Sequence, residues 1–169
     1  EQATSPGQVK LIFGILFESG QADVVLSLFN PSTILERFGK EFVIDLKLFL
    51  ANEMILSGKN NEAKRLISDI DPCIINSHQQ LNSLGMLCNR LGFFKEAVNI
   101  YEILEDKRGS SSKQHVNKSI AYICQHRFDE AEMCISQEMR EFGESAQALF
   151  WQARLLNLIG HNHESLEPI

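Results

Sequence analysis

The sequence predicts an all-α protein built from stacked helix–turn–helix units, and three observations predict it. First, a period of 34 residues runs along the chain: Gly58, Gly92 and Gly160 fall in step, with His126 in the slot between the last two. Second, each of these turns is followed at fixed distance by an acid and a small residue: Glu62-Ala63, Glu96-Ala97, Glu130-Ala131 and Glu164-Ser165. Third, the segments before the turns space their apolar residues at three and four, as in Leu46, Phe49, Leu50, Ala51 and Met54, and again in Leu81, Leu84, Gly85 and Cys88. No segment carries a convincing strand pattern.

The first helix is expected over Pro6 to Ser19, with Ser5 as its cap and proline at its first position. Gly20 ends it, and Ala22 to Phe29 returns. From Gly20 to Gly58 is 38 residues, four more than the period. The surplus holds Asn30-Pro31-Ser32, a cap followed by proline, and an apolar stretch from Ile34 to Phe38, read as a short extra helix. After it come first helices near 44–57, 78–91, 112–125 and 146–159. Second helices are expected near 61–69, 94–106, 128–141 and from 162 onward. The chain is thus read as one domain, 1–169: N-terminal helices over 1–43, repeats over 44–77, 78–111 and 112–145, and a partial repeat over 146–169.

Each repeated residue type has a physical task. Glycine after a first helix takes the left-handed backbone that ends it without steric cost. His126 is less suited to that conformation, so its turn is expected to use another geometry. Glutamate in the first turn of the second helix faces the positive end of the macrodipole. The small residue lets the two helices approach, and large residues at Met54, Cys88, Tyr122 and Leu156, with Ile67, Tyr101 and Ile135, fill the space between them. One hairpin cannot bury its own apolar face, so neighbours must stack.

The clearest unit, LGMLCNRLGFFKEAVNIYEILE from Leu84 to Glu105, resembles the tetratricopeptide repeat (TPR). The pairs Leu84-Gly85 and Leu50-Ala51, the turn residues, the aromatics Phe94 and Phe128, and the small residues Ala63, Ala97 and Ala131 all match that pattern, over roughly residues 44 to 167. Lys118-Ser119 departs from the Leu-Gly pair, and the family's closing proline is missing or displaced. The resemblance implies a right-handed superhelix whose first helices line a concave groove. It also implies partner binding rather than catalysis. Carried across in register, the groove residues are Phe49 and Asn52; Asn82 and Met86; Asn117 and Ile120; and Phe150, Trp151 and Arg154, with Leu48 and Val116 on the same face. The charged clamp by which one subgroup grips chaperone C-termini maps poorly onto these slots. The function expected is an adaptor or chaperone-like module holding an extended or helical protein segment in the groove. The alternative is a structural scaffold that docks by its edges or self-associates. The last repeat stops at Pro168-Ile169, barely one or two turns into its second helix, and the missing polar capping helix is read either as truncation of the array or as an end that a partner covers, a homo-oligomer contact through it being one option.

Composition narrows the classes. The net charge of −6, scattered without long runs of one sign, argues against nucleic acid as a partner. No stretch is long and apolar enough for a membrane-spanning helix. The four cysteines, Cys73, Cys88, Cys124 and Cys134, form no CxxC pair and read as free buried thiols, which suits a cytoplasmic location. His161-Asn162-His163-Glu164 reads as a solvated turn rather than a metal site, since neighbouring residues on a helix point apart. His78, His115 and His126 stand isolated, with no nucleophile partner and no phosphate-binding loop. No enzyme activity, cofactor or metal is expected.

Overall fold

The computed structural model describes residues 5–109 and 112–164, with the side chains of residues 108 and 161–164 left out of the description. The expected positions of Ser165, Pro168 and Ile169, and the side chains of His161, His163 and Glu164, therefore lie outside it. Among the described residues every regular element is helical. The chain divides at Asp71/Pro72 into two compact units.

The first unit holds α1 (Pro6–Glu18), α2 (Ala22–Leu28), α3 (Pro31–Phe38), α4 (Lys40–Leu56) and α5 (Asn60–Ile67). Ser5 and Gln8 exchange hydrogen bonds as a capping box before Pro6, and the Asn30 side chain accepts from the Ser32 and Thr33 amides to start α3. α4 is the hub: α1, α3 and α5 all pack on it. Leu46, Leu50, Ala51, Met54 and Ala63 are fully buried there. The ammonium of Lys47, on a nearly buried side chain, closes on both Asp69 oxygens at 2.7 and 2.6 Å.

The second unit opens with a 3-10 turn, Pro72–Ile74. It continues as α6 (His78–Leu91), α7 (Phe94–Arg108), α8 (Gln114–Cys124), α9 (Phe128–Phe142) and α10 (Ala146–Glu164). α6 pairs with α7 and α8 with α9; in addition α6 packs on α8 and α8 on α10, so first helices neighbour first helices. Ala97 and Ala131, the small residues of the second helices, are fully buried.

Four turns close with one hydrogen-bond pattern. Gly58 donates to the Ile55 carbonyl and Lys59 to Met54; Gly92 to Asn89 and Phe93 to Cys88; His126 to Ile123 and Arg127 to Tyr122. The same pair recurs at Gly20, which donates to Phe17 while Gln21 donates to Leu16. This is the Schellman closure, which satisfies two carbonyls that the helix end leaves open. The expectation that His126 uses another geometry is corrected: its φ is 58°, in the left-handed region with the glycines. The bond pair and the ring of Phe128, 5.8 Å from its imidazole, hold it there.

Gly160 breaks the series. α10 runs through it without a turn, and it is absent from the positive-φ positions, so the expected helix end at 159 and restart at 162 do not occur. At the other turns an apolar second helix follows and packs back. After Gly160 the helix instead continues to Glu164.

Two substitutions separate these positions. An added Cβ at Gly85 would sit 2.7 Å from Tyr101 Cζ, whereas one at Gly160 meets nothing within 4 Å. Gly85→Ala is expected to cost about 1–3 kcal/mol by overpacking, and Gly160→Ala to gain roughly 0.5–1 kcal/mol from helix propensity; chemical denaturation of both variants checks the pair. His126→Gly relieves left-handed strain on an L-residue and should raise stability by up to about 1 kcal/mol. A lowered midpoint for His126→Gly would show that the ring contact with Phe128 outweighs the strain.

Candidate functional site

The expected groove residues fall into columns one period apart. Asn52, Met86, Ile120 and Arg154 occupy one register position, and Phe49, Ser83, Asn117 and Trp151 another. In the second unit these columns lie on α6, α8 and α10, the three helices that pack in succession. Between α6 and α8 is an open cleft of about 190 Å³ lined by Met86, Asn89, Arg90, Asn117 and Ile120. Met86 is 37% exposed, and the Asn82 amide reaches its sulfur at 3.8 Å. Ile120 is half-buried and Asn117 is buried.

Asn89 organises the cleft. Its Nδ2 donates to the Asn117 backbone carbonyl at 2.8 Å, tying α6 to α8. Its Oδ1 is buried and has no hydrogen-bond partner among the described residues. A buried acceptor left open costs free energy that an incoming donor recovers.

On α10, Phe150 is 58% exposed while Trp151 is half-buried. Their rings meet edge to face at 5.5 Å, and the Arg154 guanidinium lies 5.2 Å from the Trp151 ring centre. The tryptophan thus anchors the group and leaves the phenylalanine outward.

The first unit treats its two candidates differently. Phe49 is half-buried and is met by α1, where a Cβ added at Gly14 would lie 3.8 Å from the ring. Asn52 remains partly exposed, its amide 3.3 Å from Glu53 Oε1. Leu48 and Val116, expected on the groove face, are instead core residues. A first helix that packs on both its hairpin partner and its neighbours has too narrow a free strip to expose them.

Sequence reasoning missed a buried polar seam that fixes α8. His115 and Lys118 are nearly buried on α8, and Glu138 is fully buried on α9. His115 stands between two carboxylates, with Nδ1 3.5 Å from Glu105 of α7 and Nε2 3.2 Å from Glu141 of α9. Lys118 binds the other Glu105 oxygen at 3.0 Å, and Glu138 accepts the Lys113 backbone amide at 2.5 Å, capping the start of α8. His115 was read as isolated. The signal that finds it is the register: one period earlier the same three positions hold Leu81, Leu84 and Leu104, all core.

The two buried thiols offer little reactivity. Burial pushes Cys88 up to about 12 and Cys134 to about 11, far from the thiolate needed for nucleophilic work. Cys73 and Cys124 are at the surface, which corrects the expectation that all four thiols are buried. Among the described residues no disulfide and no metal-binding cluster forms, and no helix is long and apolar enough to cross a membrane.

No protein-family model matches the chain, and no curated protein matches its sequence.

The seam titrates. Glu105 raises the His115 pKa above the ordinary imidazole value against the opposing effect of burial, and Glu141 adds to the rise. Burial alone would raise Glu105, but hydrogen bonds and charge from His115 and Lys118 bring it below the usual carboxylate value. A raised histidine pKa stabilises the fold fully below its unfolded value of about 6.5 and loses that stabilisation as pH climbs through the folded value. A depressed carboxylate acts oppositely, losing its contribution as pH falls through its folded value. Stability is therefore expected to decline on the alkaline side of about 6.5. His115→Leu, which restores the residue type of the Leu81 column, should flatten that decline in denaturation midpoints measured across pH; an unchanged slope would remove His115 as its source.

Proposed function

We propose that the chain is a TPR-like interaction module that acts by binding a protein segment against its first-helix face, not by catalysis. The observation that carries this reading is the cleft between α6 and α8, where a buried, unpartnered Asn89 Oδ1 sits among Met86, Asn117 and Ile120. A polypeptide supplies what this site lacks: a backbone N–H for Asn89 and apolar side chains for Met86 and Ile120. Phe150 extends the same face along α10 as an exposed aromatic, a residue type that concentrates binding energy at interfaces. The right-handed superhelical course of the family belongs to this proposal, as do an adaptor or chaperone-like role and a cytoplasmic setting, which four unbridged cysteines suit.

The partner side of the reading excludes a charge clamp. The cleft contains one charged residue, Arg90, and binding by apolar and amide contacts responds weakly to salt. The test is affinity capture with the purified chain, followed by titration of each captured polypeptide against variants. Met86→Glu and Ile120→Glu introduce charge at partly exposed positions and should weaken binding by about 1.4 kcal/mol or more, a tenfold loss, with helicity unchanged. Capture that survives both substitutions at full affinity would move the role to other surfaces and favour the scaffold reading.

A further inference from the structure

The start of α8 is held from outside the helix. Lys113, the residue before it, has a φ of 74° and gives no side-chain cap, and its amide is taken by Glu138 of α9. Gln114, His115, Asn117, Lys118 and Ser119 are all buried, so polar bonds to α7 and α9 stand where α6 packs Leu81 and Leu84. His115, 2% exposed, joins both neighbours: Nδ1 faces Glu105 Oε1 of α7 at 3.5 Å, and Nε2 faces Glu141 Oε2 of α9 at 3.2 Å. A neutral imidazole has one N–H and one lone pair, so it donates to one carboxylate and turns a lone pair on the other. The imidazolium donates at both. Glu105 Oε1 is buried, and no hydrogen bond from any other described group reaches it. Two residues on, the Asn117 carbonyl accepts from Asn89, and Ile120 lines the cleft.

We infer that His115 is a proton latch for the cleft: its protonated ring ties α8 to α7 and α9, and loss of the proton lets the first half of α8 open locally and carries Asn117 and Ile120 away from α6. The charged groups around the ring come from every neighbour. α7 brings Glu105 and, through Lys118, Glu102. α9 brings Glu141, with Glu138 at the start of α8 and Cys134, whose thiol stays neutral, near Lys118. α8 itself brings Lys118, bound to the opposite Glu105 oxygen at 3.0 Å. On α6, Arg90 belongs to the cleft and His78 does not bond the ring, and on α10 Arg154 lies over Trp151. The two carboxylates outweigh burial, and the His115 pKa is raised. The tie is therefore complete below the unfolded value of about 6.5 and is lost as pH rises through the folded value. Loss is local because α8, with 11 residues, is the shortest helix of its unit and rests on a polar seat, the kind of element that opens ahead of the core.

That the opening element is a binding surface rests on the groove reading, but the latch is tested without a partner. The measurement is native-state hydrogen exchange of the α8 amides from Asn117 to Ile120, beside those of α6, together with an NMR titration of the His115 ring. With intrinsic exchange rates divided out, α8 protection should fall as pH rises above about 6.5, by up to about tenfold per pH unit, the limit for one proton. α6 protection should change less. His115→Leu should abolish the fall. Glu141→Gln, at an exposed carboxylate, should move the ring midpoint and the α8 midpoint down together; if His115→Leu does not fold, that paired shift decides. The latch is overturned by α8 protection that ignores pH, by a fall shared equally with α6, or by an α8 midpoint that stays put in Glu141→Gln while the ring midpoint moves. Failure of the groove reading leaves a different mark: polypeptide capture insensitive to Met86→Glu, with the α8 exchange profile unaffected.

Discussion

Each hairpin of this protein depends on one close crossing between a first and a second helix. At that crossing one partner must be nearly bare. Gly85 lies against the Tyr101 ring so closely that a methyl group would collide with it, and Ala51 and Ser119 take the same place on α4 and α8 without any exposed surface. The second helices answer with Ala63, Ala97 and Ala131, which are also fully buried. Small residues on both sides let the axes come within the distance at which large neighbours such as Met54, Tyr101 and Ile135 interlock. The Schellman turns serve the crossing: a left-handed residue reverses the chain in few residues and aims the next helix back across the first.

The third repeat satisfies the same constraint with different chemistry. Where the second repeat buries three leucines, the third buries His115, Lys118 and Glu138, and ties His115 to Glu105 and Glu141, Lys118 to Glu105, and Glu138 to the Lys113 backbone amide. A charge in a packed interior is costly unless paired, and breaking one pair leaves the other charge stranded. Directional bonds between α7, α8 and α9 replace part of the non-directional apolar packing. They hold the shortest helix of the second unit, α8, in the middle of the stack and make its seat sensitive to protonation.

That seat bears on function because α8 supplies half of the cleft. Asn117 gives its carbonyl to Asn89, Ile120 gives an apolar wall, and both stand on the helix the seam secures. α10 shows the two possible fates of a first helix in one element. Its strip with Phe150, Trp151 and Arg154 continues the cleft-bearing face, and its strip with Leu149, Ala153 and Leu156 holds the register positions that are buried on α4, α6 and α8 and exposed here among the described residues.

The sequence alone determined the helical class, the caps at Ser5 and Asn30, the extra helix beginning at Pro31, and the bounds of most hairpins, because period, capping and turn chemistry are local and recur. It also placed Met86, Asn117 and Ile120 together, since residues one period apart on stacked helices become neighbours. Tertiary structure decided the rest. Whether Phe49 is open depends on α1, which approaches it at Gly14 and whose own turn at Gly20 lies out of the 34-residue register. Leu48 and Val116 went to the core because packing on several sides narrows the free strip of a helix. His126 entered the left-handed region because two hydrogen bonds and the Phe128 ring hold it there, against its own preference. Gly160 lies inside α10 rather than at a left-handed turn, and the seam around His115 formed because carboxylates from two other helices converge on one ring, a meeting visible only in three dimensions.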